Sequence, residues 1–387
     1  MKKAKKISKN KKWVNSFLIV FVILCVVGSL YIISFNKDKK AIFSNSNSTS
    51  NLINEPKPEP KPEPQPRKFS LVMVGDALIH GAVYADAYKN GKYDFTKMFT
   101  SIEKKIQPYD LRYYNQESII GGGEPQHYPR LNTPDALGEN LVSAGFNMVS
   151  LSNNHSLDKN EKGILYSNEF WRKQEKVIKT GTFSSWQERN EIPIYAQNEI
   201  KFSFLSYTMT TNGLKTPNGK EYLVNVYSEE QAKLDIDKAK EQGAEVIIVA
   251  MHWGNEYTHV PNTKQKEVAK YLSSLGVNLI IGSHPHVIQP IGYVDNTLVI
   301  YSLGNFISAQ RVLGLEKIIG LMVGLEVVVE PDSTVHFENI EKELLYTYYN
   351  SKNRDFKVIP FSELTDSILK NHEKVEKQYL EILNREV

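Results

Sequence analysis

The chain contains the stretch Leu279-Ile280-Ile281-Gly282-Ser283-His284-Pro285-His286, in which an apolar run ends in a polar cluster with two histidines. A short apolar run bounded by turn residues is typical of a buried strand. Four other apolar runs end in the same way, and their polar residues include Asp76, Glu117, Asn154-His155 and His252. In an open α/β sheet, ligands bind beyond the carboxyl ends of the strands. We therefore expect the five clusters to form one site.

The chemical groups in these clusters favour a metal site. Neutral imidazole, carboxylate and carboxamide oxygen together suit divalent ions such as Zn, Mn or Fe. On an extended segment, His284 and His286 would share one face because side chains alternate with a period of two, and Pro285 fixes φ at a turn where both rings can converge. Taken alone, Asp76 has a structural N-cap as its alternative role, and two histidines in a loop can be incidental. The combination of all five clusters favours metal binding.

Composition and charge exclude some classes of protein. The chain has 387 residues and 41% hydrophobic content, which is normal for a globular protein with a core. Its net charge is +3, but the first forty residues carry ten lysines and one aspartate, so the remainder carries −6. This distribution predicts no nucleic-acid partner. Cys25 is the only cysteine, which excludes an intrachain disulfide and a cysteine-based zinc site.

The N-terminal region has the pattern of a membrane anchor. Seven lysines precede residues 13–35, and that segment has no charged residue. Its length corresponds to roughly 34 Å of helix, against a bilayer core of about 30 Å. The lysines orient the N-terminus to the cytoplasm. A cleaved signal peptide is the alternative, but no small-x-small site ends the run. We predict a basic tail over 1–12, an anchor over 13–35 and a single-pass protein of the cell membrane whose C-terminal domain is extracellular.

A linker pattern follows the predicted anchor. Residues 36–67 are rich in serine and asparagine, and proline then alternates with charged or polar residues over 55–66. Alternating proline favours polyproline II, about 37 Å long over this part. We interpret residues 36–67 as a semi-rigid stalk; an SH3-type ligand is the alternative.

Strand and helix patterns alternate from Lys68 onward, which predicts an α/β domain over 68–345 with two packed sheets covered by helices. Thr133 is predicted as the N-cap of a helix with Pro134 at its first position. Asp295-Asn296 is predicted to join two strands, Val287 to Val294 and Thr297 to Ser302, as a hairpin. Residues 346–387 are predicted as a C-terminal helical extension, with a charged helix over Glu363 to Arg385.

The motifs together resemble the bacterial CapA family, which is associated with capsule and poly-γ-glutamate synthesis. The resemblance extends from Phe69 to Gln310, in order along the chain. That family in turn resembles the calcineurin-like metallophosphoesterases, whose fold is a four-layer α/β/β/α sandwich with a two-metal site. The motifs that carry the resemblance are Gly75-Asp76, Glu117, Asn153-Asn154-His155, the run from His252 to Tyr257, the run from Gly282 to Val287 and the run from Tyr301 to Phe306.

The resemblance implies one or two divalent metal ions and a catalytic acid. His155 is implied as the group that protonates the leaving group. Two positions depart from the phosphoesterase pattern: Leu78 stands where a histidine is expected, which makes His80 a candidate substitute ligand, and Glu117 replaces a bridging aspartate. The implied ligands are Asp76, Glu117, Asn154, His252, His284 and His286.

Two classes of function follow from these observations. The first is a membrane-anchored hydrolase that acts on an anionic surface polymer or its precursor. The second is a non-catalytic accessory subunit that binds nascent polymer and assists its export together with membrane-bound synthase subunits. Five residues are predicted to bind substrate: Asn153, Glu256, Tyr257, Asn305 and Arg130. For Arg130, the alternative is a place in a solvent-exposed loop.

Overall fold

The structure is a computed structural model that describes residues 64–310 and 314–386. The predicted tail, anchor and most of the stalk lie outside these residues. The strands are β1 (Arg67–Ala77), β2 (Tyr88–Lys89), β3 (Lys92–Tyr93), β4 (Leu111–Asn115), β5 (Met148–Ser150), β6 (Ile178–Thr180), β7 (Tyr195–Gln197), β8 (Ile200–Thr208), β9 (Val246–His252), β10 (Leu279–Ser283), β11 (Ile291–Val294), β12 (Thr297–Ile300), β13 (Asn305–Ile307), β14 (Ile319–Val329), β15 (Val335–Tyr348) and β16 (Lys357–Pro360). The helices are α1 (Gly81–Ala87), α2 (Thr100–Ile106), α3 (Asp135–Ser143), α4 (Asn160–Arg172), α5 (Trp186–Asn190), α6 (Glu229–Glu241), α7 (Thr263–Ser274) and α8 (His372–Leu383).

Two large mixed sheets form the centre of the described region. The first has the order β16-β15-β14-β1-β4-β5-β6, with β13 also paired to β1. The second has the order β11-β12-β10-β9-β8-β7. Strands β1, β4, β5 and β6 are mutually parallel, as are β8, β9, β10 and β12. The carboxyl ends of parallel neighbours therefore meet at one edge of each sheet.

The sheets pack face to face, and helices cover their outer faces. Phe69 of β1 contacts Phe202 of β8 with ring centroids 5.5 Å apart, and Tyr113 of β4 contacts Phe204 at 6.0 Å. The next residue, Tyr114, points the other way and packs on Phe146 after α3. This alternation follows from the two-residue period of a strand.

Strand β9 shows the same alternation of side chains, but both of its faces are buried. Val246, Ile248 and Ala250 belong to the core between the sheets. Their neighbours Ile247, Val249 and Met251 belong to a second core that includes apolar residues of α6 and α7. Burial on both faces explains why this strand is a continuous apolar run. The prediction of a mixed α/β fold is confirmed.

Local boundaries differ from the sequence predictions at four places. Pro134, not Thr133, is the N-cap of α3, and no side chain caps that end. The hairpin is shorter than predicted and pairs Val294 with Thr297 across Asp295-Asn296. The closing helix begins at His372, because a 3-10 turn and irregular chain precede it. Strand β15 continues past residue 345 and pairs with β16, so the region after 345 begins in the first sheet.

The predicted localisation is corrected. Across residues 64–310 and 314–386, every helix is too short or too polar to cross a membrane. This finding conflicts with a single-pass location in the cell membrane, and we do not retain that location. The segment 13–35, from which it was predicted, lies outside the described residues.

Candidate metal centre

Strand ends from both sheets meet at one buried pocket. Asp76 lies near the end of β1 in the first sheet, while His252 ends β9 in the second. The two sheets are joined directly at this point, because the His284 backbone N–H donates to Asp76 Oδ2 at 3.2 Å. Asp76 and His252 are almost fully buried, and His284 is only 8% exposed. The structure thus brings together polar groups that are separated by 208 positions in the chain.

A glycine before Asp76 permits the close packing of the pocket wall. The Asp76 backbone N–H donates to Gly304 O at 2.9 Å. A Cβ atom on Gly75 would lie 1.8 Å from that same oxygen, which no side chain could tolerate. Because this segment can approach so closely, Asn305 reaches the back of the pocket and places its Oδ1 3.1 Å from His286 Nδ1.

Several candidate ligand atoms surround the His252 ring. His252 Nε2 lies 2.9 Å from Asn154 Oδ1, 3.1 Å from His284 Nδ1 and 3.7 Å from Glu117 Oε1. Ligands held at about 2.0–2.2 Å from one ion are separated from each other by roughly 3.0–3.5 Å. The observed spacings are close to that range. On the other side of the ring, Nδ1 contacts Ser283 Oγ at 2.9 Å, which fixes the orientation of the imidazole.

Glu117 is the clearest sign that a cation belongs in this pocket. Its side chain is fully buried, and neither carboxylate oxygen has a hydrogen-bond partner among the described residues. His286 Nε2 and His252 Nε2 lie 3.6 and 3.7 Å from Oε1, beyond hydrogen-bond distance. A buried carboxylate without partners is costly unless it binds a cation or a proton. Ligand atoms of Glu117, His284 and His286 all lie within 4.8 Å of one another.

The His284-Pro285-His286 turn directs both rings into the pocket. His284 has φ +96° and His286 has φ +58°, and the two ring centroids lie 5.9 Å apart. Left-handed φ values are uncommon outside glycine and cluster at functional sites. The Tyr257 backbone N–H donates to Pro285 O at 2.8 Å, which fastens the turn to the loop after β9.

The electrostatics of the pocket favour neutral imidazoles at His252 and His284 and a proton shared by Glu117 and His286. Burial lowers the pKa of His252 well below its usual value, and burial with the nearby His286 lowers the pKa of His284 to about 3. Burial raises the pKa of Glu117 well above its usual value. Burial alone would lower the pKa of His286, but the carboxylates of Glu117 and Asp76 outweigh it and raise the pKa to about 9. The Glu117–His286 pair therefore holds a proton that a divalent cation would displace.

His155 lies beside these groups but has its own partner. Its Nδ1 lies 2.6 Å from Asp158 Oδ2, and both side chains are buried. Asp158 also accepts the Leu131 backbone N–H at 2.6 Å. Because the Asp158 carboxylate accepts from Nδ1–H, the orientation of the imidazole is fixed. Its Nε2 is then the atom that can carry a transferable proton. His155 is also among the groups that lower the pKa of His252, after burial, His284 and His286.

Other predicted site residues take different positions. The Asn153 amide donates to Gln116 O and its Oδ1 accepts the His155 N–H, so Asn153 shapes the loop. The His80 ring contacts backbone atoms, with Nδ1 3.1 Å from Leu78 O and 3.3 Å from Ala309 N. Burial lowers the pKa of His80 to about 4. Arg130 is exposed on the surface.

Two exposed residues, Glu256 and Tyr257, lie between His286 and the protein surface. Tyr257 is 42% exposed, and its ring centroid lies 6.0 Å from that of His286. Glu256 is exposed next to it. Asn305 is buried behind His286, where its amide donates to Gln310 Oε1 and Lys317 O at 2.8 Å. The roles of these residues in substrate binding stay predictions.

Sequence reasoning missed three residues of the centre. Asn115 donates to Asp76 Oδ1 at 2.7 Å and also accepts from Ser150 Oγ. Ser283 orients His252, and Asp158 orients His155. Each lies within three positions of a residue that was named, and a search for carboxylates or amides beside each named residue would have found Asn115 and Asp158.

A family comparison agrees with the resemblance in the sequence. Residues 70–310 match the family described as "Bacterial capsule synthesis protein PGA_cap". This segment is more than half of the chain, and the chain therefore belongs to that family.

Two curated relatives carry related names. The chain is 29% identical over 177 residues to "PGA biosynthesis protein CapA" of Bacillus subtilis (strain 168), a match that covers 44% of each protein. It is 24% identical over 255 residues to "Capsule biosynthesis protein CapA" of Bacillus anthracis, covering 63% of this chain and 60% of the relative. The chain thus spans about half the length of the curated relatives it matches.

Two of the solved structures with distant similarity are a phosphoesterase and a putative nucleotidase by name. The calcineurin-like phosphoesterase YfkN from Bacillus subtilis aligns with a TM-score of 0.46 and 13% identity, covering 82% of this chain and all of that one. A putative 5'-nucleotidase from Staphylococcus aureus aligns with a TM-score of 0.45 and 14% identity, covering 80% of this chain and 58% of that one.

Proposed function

We propose that this protein acts in the synthesis of a bacterial capsule or surface polymer of the poly-γ-glutamate type, through a divalent-metal-dependent hydrolase site. Family membership supports the biological role. We further propose that the two sheets and their helices form a four-layer sandwich of the metallophosphoesterase type, with the metal pocket at the strand ends. The substrate is an anionic surface polymer or its precursor.

The observation that carries the hydrolase proposal is the buried Glu117 carboxylate among three imidazoles. The residues present fit a metal: two neutral histidines, a carboxylate without hydrogen bonds and an amide oxygen lie within about one coordination sphere. The residues that would hold one or two divalent ions are Asp76, Glu117, Asn154, His252, His284 and His286. A bound divalent ion would supply Lewis acidity toward a phosphoryl or carbonyl oxygen.

The remaining steps belong to side chains of this chain. His155 donates a proton from Nε2 to the departing oxygen, while Asp158 holds its Nδ1 and stabilises the charged imidazole. Asn115 and Asn305 hold Asp76 and His286 in place. Burial of the pocket excludes bulk water from these groups and strengthens their interactions.

The role of His155 can be tested by substitution. His155→Ala should retain metal and fold while losing about 10²–10⁴-fold in the rate of phosphodiester hydrolysis, the usual range for loss of a general acid. The loss should shrink for substrates with good leaving groups, such as a nitrophenyl ester. Exposed His127→Ala on the neighbouring loop is the matched control and should keep the full rate. A His155→Ala protein that keeps both its metal and its full rate would reject the catalytic assignment.

One observation favours a non-catalytic accessory role as the second candidate. Leu78 is buried at a position where the phosphoesterase pattern has a histidine, and the His80 ring contacts backbone atoms. A protein that uses the fold only to bind nascent polymer and assist its export, together with synthase subunits, needs no such histidine. Metal-loaded protein without turnover on a panel of phosphoesters and amides would favour this role.

A further inference from the structure

Three neighbouring strands of the first sheet place polar side chains in one row beside the metal pocket. Asp76 of β1 pairs with Asn115 of β4, and Asn115 pairs with Ser150 of β5. Tyr113 lies two positions before Asn115, and side chains two positions apart on a strand share a face. That face lies between the two sheets, because the Tyr113 ring contacts Phe204 of β8 at 6.0 Å. The row therefore extends from the pocket into the core between the sheets.

Hydrogen bonds connect the four polar side chains of this row in series. The Tyr113 and Ser150 hydroxyl oxygens lie 2.8 Å apart, and the Ser150 hydroxyl donates to Asn115 Oδ1 at 2.7 Å. The Asn115 amide donates in turn to Asp76 Oδ1 at 2.7 Å. Each of the four residues is 2% exposed or less. Buried hydrogen bonds in series polarise and strengthen one another. We call the series Tyr113, Ser150 and Asn115 the Tyr113 relay.

The direction of every hydrogen bond in the Tyr113 relay is determined at its Asp76 end. An ionised carboxylate only accepts, so Asn115 directs its Nδ2 toward Asp76 and its Oδ1 toward Ser150. The single hydroxyl hydrogen of Ser150 is then used on Asn115, and the Ser150 oxygen accepts from Tyr113. Burial raises the pKa of the Tyr113 phenol above its usual value, so the phenol keeps the proton that it donates. All donors of the relay thus point toward Asp76.

The Tyr113 relay leaves one oxygen of Asp76 for the metal pocket. Oδ1 accepts from Asn115, whereas Oδ2 accepts from the His284 backbone N–H at 3.2 Å and lies 3.5 Å from His286 Nδ1. The χ2 angle of an aspartate has broad minima, so a carboxylate without such partners can turn either oxygen toward a ligand. A bond to Oδ1 whose donor is itself held by two hydroxyls removes this freedom. The orientation of Asp76 is therefore determined in the core between the sheets.

We propose that Tyr113 and Ser150 are positioning residues that act through Asn115 and hold Asp76 with Oδ2 facing the metal pocket. Groups that hydrogen-bond a metal-binding side chain from outside orient it, and their loss typically costs about 10–100-fold in metal affinity. This inference rests on the metal site of the proposed function and deepens it. It extends the residues that determine metal affinity to two hydroxyls in the core.

The affinity of the full-length protein for Zn²⁺ tests the Tyr113 relay. Bound metal would be removed with a chelator, and the Kd for Zn²⁺ would be measured by competition with a chromogenic chelator of known affinity. Ser150→Ala removes the donor to Asn115 and should weaken Zn²⁺ binding about 10–100-fold. Tyr113→Phe removes only the outermost hydroxyl and should weaken binding about two- to tenfold, the usual effect of one neutral hydrogen bond.

Two buried hydroxyls outside the relay provide matched controls. The hydroxyl oxygens of Ser203 and Tyr227 have no hydrogen-bond partner among the described residues. Ser203→Ala and Tyr227→Phe should therefore bind Zn²⁺ as the parent does. Urea denaturation of each metal-free variant measures loss of stability separately, because a purely structural role lowers stability without changing the Kd of the folded protein. If Ser150→Ala does not fold, Tyr113→Phe decides the outcome.

A double-variant cycle separates a relay from two independent packing effects. Because Tyr113 acts through Ser150, Tyr113→Phe should have little further effect on the Kd once Ser150 is replaced by alanine. Independent effects would instead multiply in the double variant.

Three results would overturn the inference: the Kd of Ser150→Ala and Tyr113→Phe equals that of the parent, the two effects multiply, or the control variants lose as much affinity. A parent protein that binds no Zn²⁺ would reject the metal site and the inference with it. If the relay behaves as expected but His155→Ala keeps its metal and its full rate, the hydrolase assignment alone fails.

Discussion

Two clusters of buried charge in this protein differ in how their polar atoms are satisfied. At Arg189–Asp235, both carboxylate oxygens are hydrogen-bonded, to the guanidinium, to Tyr207 at 2.7 Å and to Gln231 at 3.0 Å. At Glu117, neither oxygen has a hydrogen bond among the described residues. In the first cluster, folding alone satisfies both carboxylate oxygens, which is the pattern of a structural network. In the second cluster, the carboxylate oxygens are satisfied only when a cation or a proton binds, which is the pattern of a binding site.

The largest expected effect is on stability at the complete cluster. Arg189→Met leaves the Asp235 charge buried without its partner and should lower the free energy of unfolding by about 3–5 kcal/mol. Glu117→Gln, measured without metal, removes a carboxylate that has no hydrogen bond among the described residues and should cost much less than Arg189→Met. Urea denaturation in the presence of a chelator measures both. An equal loss in the two variants would mean that the clusters do not differ in kind.

Added metal should stabilise the parent and the Arg189 variant but not the Glu117 variant. A ligand that binds only the folded state at a hundred times its Kd adds about 2.7 kcal/mol to the free energy of unfolding. The parent protein should gain this amount when metal is added back after chelation. Arg189→Met should show the same gain from a lower starting value, and Glu117→Gln should lose most of it. Thermal denaturation with and without Mn²⁺ or Zn²⁺ provides the comparison, and a full gain in Glu117→Gln would contradict the assignment.

A smaller effect is expected from pH in the metal-free protein. The pKa of His286 is raised from 6.5 to about 9, so the folded state binds more protons than the unfolded state between these values. Its contribution to stability is present below pH 6.5 and is lost as the pH rises toward 9. Stability of the metal-free parent should therefore fall across this window, while Glu117→Gln should have a flatter profile because Glu117 is a main cause of the shift. A parent profile as flat as that of the variant would oppose this account.

The sequence predicted most of the pocket because its residues follow parallel strands. Asp76 and His252 were identifiable because each lies at the end of an apolar run, where the carboxyl ends of parallel strands form ligand sites. Their meeting also requires the packing of the two sheets, since β1 and β9 belong to different sheets. Asn305 was harder, since its contact with His286 depends on the close approach at Gly75 and Gly304. No local pattern encodes that approach.

The element boundaries that the sequence did not predict also depend on contacts between distant parts of the chain. Thr133 has the chemistry of an N-cap, but its backbone N–H instead donates to Ile119 O and the helix begins after Pro134. The start of α8 at His372 depends on how the preceding turn packs against the first sheet, not on helical periodicity. Tertiary contacts of this type outweigh local propensity.

Elemental analysis of the purified full-length protein tests the central claim most directly. The account predicts one or two transition-metal ions per chain in the parent and their loss in the double variant His252→Ala with His284→Ala. The two substitutions remove imidazoles whose nitrogens, His252 Nε2 and His284 Nδ1, lie 3.1 Å apart in the centre of the pocket. The double variant His336→Ala with His372→Ala, at two partly exposed histidines outside the pocket, is the matched control and should keep the full metal content. An unchanged metal stoichiometry in the His252 and His284 double variant, or no metal in the parent, would contradict the account.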